Sequence, residues 1–197
     1  MSDYILDLAD VRMDDVALVG GKNASSGELI RNLGAHGIRV PRGFAVTAAG
    51  YRDLLTGNEL DEPIGRLVAS YRNSETSLSG TGEAIRDLIG KASLPAALES
   101  AIRAAYRKLG DAVGQPNPAV SVRSSATAED LPEASFAGQQ ESFLNVIGEE
   151  PLLTACRRCY ASLFTDRAIA YRQAKGIDDL SVALSIGVQK MIRSYIG

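Results

Sequence analysis

A chain of 197 residues, 45% hydrophobic and 23% charged, has the size and composition of one ordinary globular domain or two small lobes around a real core. A formal charge of −3, with no basic block or basic–aromatic stripe, argues against broad binding to nucleic acid, so any phosphate affinity must come from a local site. No apolar run approaches a membrane span, and residues 1–10 lack a basic region followed by an apolar one, which makes the cytoplasm the expected compartment.

Tyr4 to Leu8 reads as a short strand. Val16 to Val19 is an apolar run that stops at Gly20-Gly21, and a helical pattern follows through Ala24, Leu29, Ile30 and Leu33 to a cap at Gly34. Lys22 therefore stands in the turn before a helix N-terminus, where backbone N–H groups and the dipole attract anions. A lysine here can place a mobile charge on a terminal phosphate; the plainer alternative is a solvated side chain. The spacing is not that of a Walker loop, which would need Gly at Val16 and Ser or Thr at Asn23. His36, the only histidine, falls in the Gly34–Gly37 turn and reads as a turn residue. After Pro41-Arg42-Gly43, Phe44 to Val46 reads as a strand, with Thr47 capping a helix through Leu55.

Residues 58–118 read as a helical, connective insertion. Ile64, Leu67, Val68 and Tyr71 make one short apolar face, and Ile85, Leu88 and Ile89 another. Leu94, Leu98, Ile102, Ala105 and Leu109 make the cleanest stripe, from Ser93 to Gly110. Asn73 to Gly82, rich in Ser, Thr and Gly, is expected to be a mobile link, and Gln115-Pro116-Asn117-Pro118 a stiff connector.

The stretch from Ala119 to Asn145 is the chemically suggestive one. Val120 and Val122 alternate with Ser121 as in a half-buried strand that delivers Arg123. Small or hydroxyl residues follow, Ser124, Ser125, Ala126, Thr127 and Ala128, then Glu129, Asp130 and a turn at Pro132. Ser135, Phe136, Ala137 and Gly138 lead through Gln139 and Gln140 to a second strand, Phe143 to Ile147. A planar, permanently charged guanidinium, a row of hydroxyls and a small-residue loop are the parts of an anion cradle. The alternative is that Arg123 pairs locally with Glu129 or Asp130 and the small residues form a turn.

A helix from about Glu149 to Leu163 precedes a second one capped by Thr165 and running through Lys175 and Gly176. Cys156 and Cys159 form a C-x-x-C at helical spacing with Leu152, Leu153, Tyr160 and Leu163. Mid-helix placement and the lack of further ligands favour reduced structural thiols over a redox pair or a zinc site. Arg167, Arg172 and Lys175 read as a solvated basic face. Val182, Leu184, Ile186 and Val188 alternate with small residues as a strand half buried on one face, running on into Gln189-Lys190-Met191-Ile192. Apolar surface left exposed along this C-terminal strand would favour self-association.

The segment VRSSATAEDLPEASFAGQQESFLN resembles the ATP-binding segment of phosphoenolpyruvate synthases (pyruvate, water dikinases), and the likeness returns at GGKNASSGELI, PRGFAVT, ASLFTDRAIAYR and VALSIGVQKMIRS. Pyruvate phosphate dikinase and rifampin phosphotransferase are similar more distantly. The resemblance implies an α+β fold, the first lobe of an ATP-grasp nucleotide-binding domain with a small, mostly antiparallel sheet, flanking helices and the 58–118 insertion. It implies that Lys22 and Arg123 act on the phosphates of ATP, and that Ser135, Gly138, Gln139 and Gln140 fold over them. Gln189 and the backbone near Met191 would meet the adenine edge. Such enzymes make phosphoenolpyruvate from ATP, pyruvate and water, through a phosphohistidine and with magnesium. The second lobe, the metal ligands, the phosphohistidine domain and the pyruvate domain are expected outside these 197 residues, so this chain alone is expected to be inactive. Glu129 and Asp130 are read as shaping a turn rather than binding magnesium. Ser26 and Tyr195 depart from the pattern, which carries a larger apolar and an acidic residue there. The alternatives are a first lobe of rifampin phosphotransferase or pyruvate phosphate dikinase type, or a non-catalytic nucleotide-binding module.

Overall fold

The computed structural model describes residues 4–34, 36–38, 40–127 and 141–192. Five strands form one antiparallel sheet in the order β1-β2-β5-β3-β4: β1 Ile5–Asp7, β2 Gly43–Val46, β3 Val120–Ala126, β4 Ser142–Val146 and β5 Leu184–Lys190. One helix, α1 Val16–Gly34, lies on one face. On the other lie α2 Ala48–Gly57, α3 Asp61–Arg72, α4 Leu78–Lys91, α5 Ala96–Ala112, α6 Glu149–Ala161 and α7 Asp166–Lys175.

Strand alternation separates the two faces. Val120, Val122, Leu184, Ile186 and Val188 join Ile64, Ile85, Leu98, Ile102, Tyr106 and Phe164 in the main core. Ala45 of β2 packs instead with Leu8, Val11, Val19 and Ala24 beneath α1. The helices of residues 58–118 thus supply much of the main core rather than sitting apart from it. Ser77 caps α4 by accepting from the Gly80 N–H at 3.1 Å, so the stretch expected to be a mobile link is helical from Leu78, and Thr81 and Gly82 are buried in it. Thr165 caps α7 by accepting from the Ala168 N–H at 3.3 Å, and Gly176 closes that helix in the left-handed region, φ 68°.

Three further expectations are corrected. β5 is the central strand, paired on both edges and covered on both faces from Leu184 to Val188, because α1 packs on the face opposite the main core. It is thus fully buried there rather than half buried or left open; the large apolar residues exposed among those described include Leu144, Ile147 and Ile192. Arg172 is fully buried rather than solvated. Its Nε donates to Asp179 Oδ1 at 2.5 Å, its Nη1 donates to the Leu163 carbonyl at 2.8 Å, and its guanidinium lies 5.2 Å from the Phe164 ring centroid. Finally, β3 runs past Arg123 as far as Ala126, which carries Ser124 into the main core and Ser125 against α1. Those two hydroxyls therefore belong to the packing of the sheet and not to an open cradle.

Cys156 and Cys159 are free, buried thiols in the middle of α6. Burial pushes the Cys156 thiol up to about 12 and raises that of Cys159 well above its ordinary value, so both stay protonated and unreactive. Among the described residues no three His, Cys, Asp or Glu side chains gather in a way that could hold a metal, and no helix is long and apolar enough to cross a membrane.

Candidate nucleotide site

The site is built where α1 crosses β3 and β5. Gly20 interrupts α1 with φ 74° and ψ 160°, a conformation open to glycine and strained for other residues. A Cβ on Gly20 would lie 2.3 Å from Ser125 Oγ and 2.6 Å from the Ala126 carbonyl oxygen, so only glycine lets the chain pass this close to the end of β3. The apolar run before the pair of glycines is thus a short helical turn, and the helix restarts at the kink. Lys22 emerges in that first new turn with its side chain open to solvent.

Arg123 projects from β3 on the same face of the sheet, paired across the strands with Gly187 of β5 and Ser142 of β4. It is exposed and makes no ion pair among the described residues; the same holds for Lys22. The two side chains are close enough to sense each other. Partial burial first, and then the positive charge of Arg123, hold the Lys22 ammonium below its ordinary value. Among the described residues no carboxylate pairs with either cation, so an anion in the space beside them would offset their mutual repulsion.

From Arg123 a cleft of ≈ 440 Å³ runs along the sheet, lined by Ser121, Gln189 and Met191 together with Pro41 and Leu144. Three of the residues singled out in the sequence, Arg123, Gln189 and Met191, therefore share one cleft; Lys22 does not line it but precedes Asn23, which packs on Gly187, the cross-strand partner of Arg123. Gln189 reaches over Gly43, where a Cβ would come within 2.9 Å of its Cγ. The Met191 N–H already donates to the Ala119 carbonyl at 2.8 Å, so this donor is not free for a ligand. Ser135, Gly138, Gln139 and Gln140 lie outside the described residues, as do Glu129 and Asp130. β4 begins at Ser142, the cross-strand partner of Arg123.

Sequence reasoning missed the residues that hold this arrangement. Asn23 is buried, and its amide donates to the Val19 carbonyl and to Ser185 Oγ, both at 3.0 Å. Its Oδ1 lies over Gly187, where a Cβ would come within 2.2 Å. The available signal was Gly187 itself, a glycine inside a strand pattern, which marks close approach by another part of the chain.

Residues 16–197 match the family described as "Pyruvate phosphate dikinase, AMP/ATP-binding domain". Proteins named phosphoenolpyruvate synthase are similar along nearly the whole chain. The one from Deinococcus radiodurans is 50% identical over 99% of this chain and 24% of its own length. That from Pseudomonas aeruginosa is 50% identical over 100% and 25%, and that from Aquifex aeolicus 46% over 98% and 23%. The chain therefore spans about a quarter of the length of these relatives. With the family match running from α1 past β5, through every element of the cleft, the chain belongs to the pyruvate phosphate dikinase AMP/ATP-binding domain family.

Proposed function

We propose that this chain binds ATP through the Lys22–Arg123 cleft as the nucleotide-binding part of an enzyme that makes phosphoenolpyruvate from pyruvate. ATP, pyruvate and water would give phosphoenolpyruvate, AMP and phosphate, with a histidine outside this chain carrying phosphate between the two half-reactions. The observation that carries the reading is that α1 lays Asn23, the neighbour of Lys22, against Gly187, the cross-strand partner of Arg123, which brings Lys22 beside Arg123 and the cleft that it shares with Gln189 and Met191. A polyphosphate fits this pair because it supplies the negative charge that they lack among the described residues. Arg123 offers a planar fork to two phosphate oxygens, and Lys22 a mobile point charge. Held in place, both offset charge as the phosphoryl group moves, which is the main contribution a protein makes to this chemistry.

Gln189 and the backbone around Met191 would border the adenine, and Ser135, Gly138, Gln139 and Gln140 would close over the phosphates. The architecture would be the first lobe of an ATP-grasp domain. Magnesium would neutralise phosphate charge when bound, and we name no ligand for it among the described residues. The identities to synthases favour pyruvate over an antibiotic as the final acceptor.

The test is ATP-dependent phosphorylation of the full-length protein. Lys22→Ala and Arg123→Ala should each slow it roughly a hundredfold, about 3 kcal/mol of lost charge stabilisation. Arg123→Lys should be nearly as damaging, because a point charge cannot replace a bidentate fork. Near-normal phosphorylation in folded Lys22→Ala and Arg123→Ala proteins would refute the assignment.

A further inference from the structure

We infer that Asn23 is the positioning residue of this site, setting where Lys22 stands relative to Arg123. The inference rests on the ATP reading above and concerns a side chain that would not touch the nucleotide. Asn23 follows Lys22 in the chain and is 5% exposed. Both hydrogens of its amide are used: one reaches back across the Gly20 kink to the Val19 carbonyl, the other goes to Ser185 Oγ. Ser185 in turn donates to the Val46 carbonyl at 2.7 Å, which ties α1 through β5 to β2. The Asn23 N–H points at Ser125 Oγ, 3.4 Å away on β3, and Ser125 is the cross-strand partner of Ser185. Asn23 is thus clamped between two paired residues of neighbouring strands.

The clamp lies beside the charge it serves. Arg123 pairs across the sheet with Gly187, the residue whose missing side chain makes room for Asn23 Oδ1. The neighbouring pair in the ladder's same-face series is Ser125–Ser185, the seat of the clamp itself. Lys22 and Arg123 repel, and α1 is broken at Gly20, so without a tie the first turn of the new helix could rotate away and take Lys22 with it. The Asn23 amide supplies that tie from a buried position where its hydrogen bonds are not exchanged for water. A displacement of about 1 Å at such a group can cost on the order of a hundredfold in rate.

The experiment is a double-mutant cycle in the full-length protein, read by both ATP-dependent phosphorylation and ATP affinity from calorimetry. Asn23→Ala is the main variant. Asn23→Ser, whose short hydroxyl can still donate to the Val19 carbonyl in the preceding turn but loses the amide bond to Ser185, covers a folding failure of the first. Each should lower the phosphorylation rate at least about tenfold and weaken ATP binding while the protein stays folded. In a Lys22→Ala background the same change should cost less than about twofold, because the group it positions is gone. Equal losses in both backgrounds would make Asn23 a general structural residue and overturn the proposal. So would phosphorylation and ATP affinity left unchanged by Asn23→Ala. Failure of the unsubstituted protein to bind ATP would overturn the nucleotide reading first, and this proposal with it.

Discussion

Replacing Arg172 with Ala should destabilise the protein severely, although the residue sits on a helix whose other basic side chains, Arg167 and Lys175, are exposed. Arg172 is 0% exposed and its partner Asp179 about 2%, so the substitution removes one member of a desolvated ion pair. It also removes the bond to the Leu163 carbonyl and the contact with Phe164. Breaking a buried pair from one side costs about 3–5 kcal/mol. Arg72, whose Nη2 lies 3.0 Å from Asp179 Oδ2, remains to screen the orphaned carboxylate, which argues for the lower half of that range. The space left by the guanidinium and its stem pushes the cost back up. About 3–4 kcal/mol is the net expectation. In a chain of this size it lowers the melting temperature by roughly 6–16 °C, at about 2–4 °C per kcal/mol. Thermal and urea denaturation followed by circular dichroism provide the assay, with Arg167→Ala as the exposed control, expected within about 0.5 kcal/mol of the parent. Combining Arg172→Met with Asp179→Leu should cost less than Arg172→Ala alone, since no charge is then buried without its partner. A melting temperature within 2 °C of the parent for Arg172→Ala would refute the reasoning.

Gly20→Ala should destabilise by about 2–5 kcal/mol, combining a strained positive φ with a Cβ forced against Ser125 and Ala126, and should weaken ATP binding as well. A variant with unchanged stability and affinity would show that the close approach is dispensable. The two thiols should react slowly with a thiol reagent at pH 8 in the folded protein and at once in urea; rapid labelling of the native state would mean that α6 does not bury them. Their raised folded values also mean stability that is complete below the unfolded thiol range and falls as pH climbs from about 9 toward 12. Hydrogen bonds from Arg107 first, and then Arg103, depress the Glu149 carboxyl from 4.5 to about 2. That stabilisation is present above pH 4.5 and lost as pH falls toward 2, so Glu149→Gln should flatten the melting temperature across this window. An unchanged acid limb would count against the network.

Much of the fold and part of the site were legible in the residues themselves. Period-two and helical spacing located the strands and helices to within a few residues, since those patterns follow from which face of an element is buried. Cap chemistry placed Thr165 and Gly176 correctly. Lys22, beyond a pair of glycines, and Arg123, after a short strand pattern, could be singled out as phosphate candidates separately from their local patterns, and together only through the family resemblance. Their meeting depends on the order β1-β2-β5-β3-β4, which is set by long-range pairing that no local pattern records. The same order put β5 in the centre of the sheet and buried both its faces, overriding an alternation that read as half exposed. Arg172 looked like any helical arginine until Asp179, Phe164 and Leu163 closed around it. Asn23 gave no local signal at all, because its role is defined by Ser185 and Gly187, residues far along the chain. Burial periodicity and capping are local and were written in the sequence; strand order and the pairing of buried polar groups are global, and only the tertiary structure decided them.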